Sequence, residues 1–236
     1  MNLGTNQFFN DLATHWAAYV GELTVIGSVS MAILQTVKDL LPVRQWFQEF
    51  YLDRWVKVGA AEARERFKKD ISPARAEADL LILAVDGDKG AFYDLQIEQL
   101  CGQYTAAIQM VLEFPSKHLD LLAVTASKAD GKDIDLVLAG PTVPPTQDFL
   151  DARNRVTHQC QRAIDALQIT AGFRWKWILQ IASIVVSGSL AFVAMTYKPT
   201  IVSPNIVSVV GSAVLAGFLA PVAKDLLAIV QKARGQ

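Results

Sequence analysis

Two clusters of aspartates contain the residue types that bind hard cations. The first, Asp86, Asp88 and Gly90, has the beginning of a calcium-binding loop. Such a loop needs glycine at its sixth position and a bidentate glutamate at its twelfth. Counted from Asp86, these positions hold Ala91 and Ile97, so the pattern fails. We therefore expect a turn in which Asp88 caps the next helix.

The second cluster consists of Asp130, Asp133 and Asp135. These carboxylates have the chemistry for a cation site, but the neighbouring sequence supplies no further carboxylate and no recognisable loop motif. We expect a solvated turn here, and no metal site in either cluster.

The histidines and cysteines do not suggest a catalytic or metal site. His15, His118 and His158 are isolated in the sequence. Cys101 and Cys160 belong to no CxxC pattern and no Cys/His cluster, which indicates buried free thiols. The chain also lacks the GxSxG, GxxxxGK[ST], GxGxxG and HExxH motifs. The sequence thus favours a protein that is not an enzyme and needs no cofactor, although an enzyme assembled from scattered residues stays open.

Two long apolar segments near the C-terminus determine the architecture that the sequence predicts. Residues 177–197 and 201–223 contain no charged side chain. As helices, both are long enough to cross the ~30 Å hydrocarbon core of a bilayer. We therefore predict an all-α integral membrane protein in which residues 173–236 form a C-terminal transmembrane hairpin and a short cytoplasmic tail.

A third apolar segment, residues 17–37, lies within the N-terminal helical region 1–41. Its uncharged core, Leu23–Val37, is too short to span a bilayer, so a crossing must include Glu22 near one interface. The chain has no Lys or Arg before Lys38, and this asymmetry favours a true crossing. The alternative is an amphipathic helix that lies on the membrane or packs against the hairpin.

Most basic residues near the predicted hairpin lie on one side of it, and its connecting loop carries only Lys198. Arg174 and Lys176 precede it, and Lys224 and Lys232 follow it. Because Lys and Arg concentrate in cytoplasmic loops, both ends of the hairpin are expected to face the cytoplasm. Residues 42–172 then form a cytoplasmic helical domain, and the N-terminus lies outside the plasma (inner) membrane.

Both predicted spans of the hairpin carry a stripe of small and polar residues at the same spacing. Helices in lipid associate through such residues because small side chains allow close backbone contact. The stripes are either packing surfaces or, in an oligomer, the lining of a narrow wet pathway. They consist of Gln180, Ser183, Ser187 and Ala191 in the first span and of Asn205, Ser208, Ser212 and Ala216 in the second.

Several aromatic residues are placed where a membrane interface is expected. Trp and Tyr prefer the headgroup level, since their rings are apolar and their N–H or O–H groups reach water. For the aromatic helix after Pro42, a soluble core helix is the competing interpretation. The predicted interfacial residues are Trp46, Phe47, Phe50, Tyr51, Trp55, Trp175, Trp177 and Tyr197.

Helix signals divide the predicted cytoplasmic domain into segments. Ser72-Pro73 should begin one helix, residues 90–114 should form an amphipathic helix, and residues 117–129 should form the next. A helix from Gln147 should continue to the membrane, with residues 147–172 as a long stalk. The apolar stripe of this stalk packs either on helices of the same chain or on its copy in a neighbouring subunit.

The overall charge and the predicted architecture limit the function. A net charge of −1 supplies no basic field for nucleic acid. The expected partners are the lipid bilayer, further copies of the chain and a protein at the cytoplasmic domain. We predict a self-associating membrane scaffold or anchoring subunit that presents this domain. A homo-oligomeric channel or membrane-permeabilising assembly is the first alternative, and a membrane-bound hydrolase or transferase is the second.

Overall fold

The computed structural model describes residues 25, 28–30, 32, 33, 35–37 and 41–197. Every regular element in these residues is a helix, which confirms the all-α prediction. The chain divides into two compact units. We call residues 42–175 the helical domain, and residues 1–41 together with 176–236 the second unit.

The described residues form one helix after another along the chain. Residues 25, 28–30, 32, 33 and 35–37 are helical. From residue 43 onward the helices are α1 (Val43–Phe67), α2 (Pro73–Val85), α3 (Lys89–Asp94), α4 (Ile97–Glu113), α5 (Leu119–Thr125), α6 (Gly131–Ala139) and α7 (Gln147–Tyr197). The first six helices belong to the helical domain, and α7 belongs to this domain up to Trp175 and to the second unit from Lys176.

The caps predicted from the sequence begin α2 and α3. Ser72 Oγ accepts a hydrogen bond from the Arg75 backbone N–H at 3.3 Å, and Pro73 is the first residue of the helix. Asp88 Oδ1 accepts a hydrogen bond from the Ala91 N–H at 2.9 Å. Both predictions are confirmed, because each short polar side chain satisfies an N–H group that has no acceptor within its helix.

The predicted helix of residues 90–114 is interrupted in the structure. Leu95 and Gln96 are extended, with ψ angles of 156° and 152°. The Gln96 N–H donates to Gln99 Oε1 at 3.3 Å, and Gln48 Nε2 of α1 donates to the Leu95 carbonyl at 3.1 Å. The break is therefore stabilised by side chains that replace the hydrogen bonds of a continuous helix.

The segment around α5 also differs from its prediction. The helix covers only Leu119–Thr125 of the predicted residues 117–129, and turns lie on both sides. Beyond its end, Ser127 Oγ donates to Glu62 Oε2 of α1 at 3.0 Å. The turn predicted at the second aspartate cluster is instead the start of α6, where Asp130 Oδ1 accepts from the Lys132 N–H at 2.8 Å.

The core of the helical domain lies where α5 packs against α1, α2 and α4. Leu121 and Val124 of α5 have no exposed surface, and the buried Tyr104 hydroxyl of α4 lies 2.9 Å from Thr125 Oγ1. Burying a side chain of this size contributes roughly 1.5–3 kcal/mol to folding. Other large side chains of this core are Ile71, Leu80, Phe92, Tyr93, Leu100 and Ile134.

One face of α7 completes this core. Val156, Cys160, Ile164 and Leu167 are buried in it, at the spacing of three and four residues that places side chains on one side of a helix. The stalk segment thus packs on helices of its own chain, which is the first of the two predicted arrangements.

Helices α1 and α5 approach each other closely at Gly59. A Cβ atom at this position would lie 2.9 Å from the Val124 carbonyl oxygen and 3.0 Å from Val124 Cγ1. The carbonyl belongs to a buried backbone that cannot rotate away, and a close-packed interior gives little room for a shift. The helix crossing therefore requires glycine.

All three predicted membrane spans fall within the second unit. Among the residues that the structure describes, no helix combines the length and apolarity needed to cross a membrane. Residues 177–197 are helical as the last part of α7. The whole of the predicted span 201–223, and part of the predicted span 17–37, lie outside the described residues. The membrane spans therefore stay a prediction.

Candidate functional sites

The first predicted small-residue stripe lies on the last part of α7. Ser183 and Ser187 are 4% and 0% exposed, and Gln180 is half-buried. Among the described residues, neither serine hydroxyl has a hydrogen-bond partner. By contrast, Ser189 is exposed and donates to the Val185 carbonyl at 2.9 Å. Ser183 and Ser187 therefore lie on the inward face of this helix.

The other residues of the predicted stripes lie wholly or partly outside the described residues. The side chain of Ala191 lies outside the described residues, although its backbone is part of α7. The second stripe, Asn205, Ser208, Ser212 and Ala216, lies wholly outside them. The pairing of the two stripes thus stays a prediction.

Apolar side chains of the same part of α7 point outward. Ile181 and Val185 are 53% and 60% exposed, and Phe192 and Val193 are also exposed. In a water-soluble helix the apolar side chains face the interior and the small polar ones face the solvent. Ser183 and Ser187, set against Ile181 and Val185, have the opposite distribution, although Ser189 of the same segment is exposed.

The described residues of the N-terminal helix have this distribution as well. Val25, Val29, Ile33 and Val37 follow one another at intervals of four, share a helix face and are exposed. Ser30 is fully buried. Exposed apolar surface is unfavourable in water by about 25 cal/mol per Å². Both segments of the second unit therefore present faces that suit apolar surroundings.

The predicted interfacial aromatics separate into two groups, of which the first packs the helical domain. The Phe47 ring lies 5.7 Å from the Tyr51 ring and 5.1 Å from the Trp175 ring, measured between centroids. The Trp55 ring meets the buried Tyr104 ring edge-on at 5.9 Å. These ring contacts lie within the helical domain, and the position of the four residues at a membrane interface stays a prediction.

The second group consists of Trp46, Phe50 and Trp177, whose side chains are exposed. Trp46 and Phe50 are four residues apart on α1 and share one face of that helix. The side chain of Tyr197 lies outside the described residues. Among the described aromatics of the predicted set, these three have exposed side chains, and their location at an interface stays a prediction.

The second aspartate cluster is tied into the helical domain by ion pairs. Asp133 is buried, and Arg155 of α7 donates to both of its carboxylate oxygens at 2.8 and 2.6 Å. The hydrogen bonds from the Arg155 guanidinium hold the pKa of this carboxyl below its ordinary value. Asp135 pairs with Lys69 at 2.6 Å. The solvated turn predicted here is therefore wrong, since Asp133 serves to join α6 to α7.

The described residues hold no cluster of three or more His, Cys, Asp or Glu side chains that could bind a metal ion. Both cysteines are free and buried, as predicted, and burial raises the pKa of the Cys101 and Cys160 thiols to about 12. Such thiols are not nucleophiles at neutral pH. His118 Nδ1 lies 3.2 Å from Asp79 Oδ2, without the alignment of a hydrogen bond.

A groove of about 390 Å³ opens on the helical domain between α1, the end of α5 and α7. The sequence predicted no site here, since the lining residues come from three segments that are far apart in the chain. None of the aspartates and histidines considered from the sequence lines it. Its lining residues are Trp55, Val58, Gly59, Glu62, Thr125, Ser127, Lys128, Gln159, Arg162, Ala163 and Ala166.

The charges of the groove are unbalanced. Lys128 and Arg162 are its two cations, and neither forms an ion pair with a described residue. Glu62 is the single carboxylate of the lining, and its Oε2 accepts the hydrogen bond from Ser127. Two cations against one engaged carboxylate leave a net positive groove.

The chain matches no model of a known protein family, no curated protein and no solved structure. The function is therefore inferred from the residues and their contacts.

Proposed function

We propose that this protein is an integral membrane scaffold that presents its helical domain at the cytoplasmic face and self-associates through its spans. The observation that carries the proposal is the reversed distribution on the last part of α7. There Ser183 and Ser187 are buried, while Ile181 and Val185 are exposed. In lipid the exposed apolar side chains avoid water, and small inward residues allow close contact between helices.

Charge and length support the same proposal. The uncharged segment 177–197 follows Arg174 and Lys176, and the uncharged segment 201–223 precedes Lys224. Basic residues on these flanks favour a hairpin with both ends in the cytoplasm and the inner membrane as the location.

The chemistry of the helical domain favours presentation to a protein partner over catalysis. Its cysteine thiols have a raised pKa, and Asp133 and Asp135 are held by ion pairs with basic residues. A domain with its own hydrophobic core folds as a unit, so its surface stays available to a partner while the membrane segments anchor the chain.

A pair of matched double variants tests the membrane anchor. Ile181→Asp with Val185→Asp places two charges on the exposed face of α7. A charge costs about 2.5–3.5 kcal/mol of insertion at the middle of a span, close to Val185, and less toward the end of the span, where Ile181 lies. Ile82→Asp with Met110→Asp changes two comparably exposed apolar residues of the helical domain. We expect alkaline carbonate to release the first variant from membranes, while the second variant and the wild type stay in the membrane pellet. Release of the wild type, or equal retention of the two variants, would contradict the anchor.

A flux measurement separates the scaffold from the channel alternative. Liposomes that contain the purified full chain are expected to be no more permeable to small ions than empty liposomes. Protein-dependent flux that scales with the number of copies per liposome would replace the scaffold by the channel.

A further inference from the structure

We infer that the groove between α1, the end of α5 and α7 binds a small amphipathic anion, in which a phosphate monoester or carboxylate is joined to an apolar group. This inference concerns the helical domain alone and does not depend on the membrane proposal.

Two cations of the groove form the part of the site that binds the anionic group. Lys128 and Arg162 line the groove and form no ion pair with any residue that the structure describes. A guanidinium group donates two parallel hydrogen bonds to a carboxylate or phosphate, and an ammonium group adds a point charge. The Gln159 amide, in the same lining, is a further polar group within the groove. The available charge thus matches one anionic group.

Apolar side chains form another part of the groove lining. Trp55, Val58, Ala163 and Ala166 present apolar surface to the groove. Ligand sites typically combine such walls with a few polar groups that fix the orientation of the ligand. A purely inorganic anion would leave this apolar surface unused, so the ligand should carry an apolar group.

The shape of the groove is set before a ligand arrives. The Trp55 ring is held edge-on by Tyr104 at 5.9 Å, and the Tyr104 hydroxyl is held by Thr125 at 2.9 Å. A hydrogen bond of 3.0 Å from Ser127 Oγ to Glu62 Oε2 holds these two lining residues together. These ordered walls reduce the conformational entropy lost on binding, whereas the exposed Lys128 and Arg162 side chains are ordered only by the ligand. The carboxylate of Glu62 also disfavours ligands with a second anionic group beside it.

The volume of the groove limits the size of the ligand. At about 390 Å³ it lies near the lower end of the range for small-molecule sites. It therefore suits a compact soluble molecule with one or two rings.

Calorimetric titration of the full chain with 1-naphthyl phosphate, in a nonionic detergent, tests the inference. We expect saturable binding, with 1-naphthol and inorganic phosphate each weaker by at least about tenfold, because each lacks one half of the recognised chemistry. Absence of binding, or binding of inorganic phosphate as strong as that of the ester, would overturn the inference.

A charge-matched pair of variants locates the binding. Lys128→Gln with Arg162→Gln is expected to raise the Kd by at least about tenfold, since both charge-assisted contacts are lost. Lys132→Gln with Arg153→Gln removes the same charge from residues outside the groove lining and should leave the Kd unchanged. Equal Kd values for the two variants would overturn the site.

A third variant tests the groove without changing its charge. Ala163→Leu fills the apolar wall while Lys128 and Arg162 remain. It should weaken 1-naphthyl phosphate binding and leave the thermal unfolding midpoint of the domain close to that of the wild type, because Ala163 is only half-buried. Undiminished binding in a folded Ala163→Leu variant would contradict the site, and the charge pair decides the matter if this variant does not fold.

Discussion

Asp133 and Arg155 form the ion pair with the clearest consequence for pH. The Asp133 side chain is 11% exposed, and two hydrogen bonds from the Arg155 guanidinium stabilise its charged form. These hydrogen bonds lower the pKa of the carboxyl from its ordinary value of 3.8. Because Arg155 itself is largely exposed, solvent screening keeps the stabilisation modest.

The Asp133→Asn variant should reveal this contribution. The folded pKa of Asp133 lies below the unfolded one, so the stabilisation is fully present above the unfolded pKa and is lost as the pH falls through the folded pKa. We expect the variant to be less stable than the wild type at pH 7, and the difference to shrink below about pH 4. Urea unfolding of the full chain in detergent, followed by circular dichroism at both pH values, measures it. A difference that does not change with pH would contradict this role.

A second ionic contact joins three helices. Lys89 Nζ of α3 lies 2.8 Å from Glu49 Oε1 of α1 and 3.4 Å from Glu77 Oε1 of α2. The hydrogen bond to Glu49, the largest influence, raises the pKa of Lys89 above its ordinary value. The Tyr93 hydroxyl also donates to Glu77 at 3.1 Å. These contacts hold α3 against α1 and α2. They are needed because a helix of six residues has little stability of its own.

At the scale of elements, α7 changes character along its length. In the helical domain its buried face is apolar, with Val156, Ile164 and Leu167 in the core. In the second unit its buried residues include Ser183 and Ser187, and its exposed residues include Val185. The same helix therefore follows the pattern of a soluble helix up to Leu167 and the opposite pattern at Ser183 and Ser187, and between these parts Ile169 and Phe173 are exposed.

Two leucine substitutions test whether the small inward residues are needed for packing. Ser187→Leu forces a larger side chain into a fully buried position and should destabilise the chain by about 1–3 kcal/mol. Ser189→Leu changes an exposed position two residues away and should stay within about 0.5 kcal/mol of the wild type. Unfolding in mixed detergent micelles gives the free energies, and particle mass shows whether assembly is lost with Ser187→Leu. Equal stability of the two variants would contradict a packing role for Ser187.

The elements could be predicted from the sequence where a local signal marks them. Ser72-Pro73 and Asp88 are strong helix starts, and both were identified correctly. The break at Leu95 and Gln96 has no such signal, because the apolar rhythm continues across it without Gly or Pro. The acceptor at the break is satisfied by Gln48 of α1, and no local pattern can contain a partner 47 residues away.

At the scale of the whole molecule, the sequence predicted the helical class but not the groove. Lys128 and Arg162 become neighbours of Trp55 only because α5 and α7 pack against α1. The interfacial aromatics illustrate the same limit, since Trp46 and Trp55 have the same residue type but different surroundings. Type and spacing indicated which helix face is apolar, whereas the contacts decided which apolar residues pack and which remain exposed.

Cysteine labelling tests the predicted topology of the whole chain. An impermeant maleimide should label an Asn2→Cys variant in intact cells, because the positive-inside pattern places the N-terminus outside. A Lys132→Cys variant, at an exposed position of α6, should be labelled only after lysis. The native Cys101 and Cys160 are buried and give little background. Labelling of Asn2→Cys only after lysis would remove the first predicted span.

The close approach at Gly59 has a consequence for how this fold can diverge. Since a side chain there would collide with the Val124 carbonyl, a descendant that keeps the crossing of α1 and α5 must keep glycine at this position. The neighbouring Ala60 and Ala63 are fully buried and likewise leave little room for larger residues. Together they form a Gly-Ala-x-x-Ala signature that sequence drift should erase last. Distant relatives are therefore best sought by this short pattern, placed before a helix that begins with Ser-Pro.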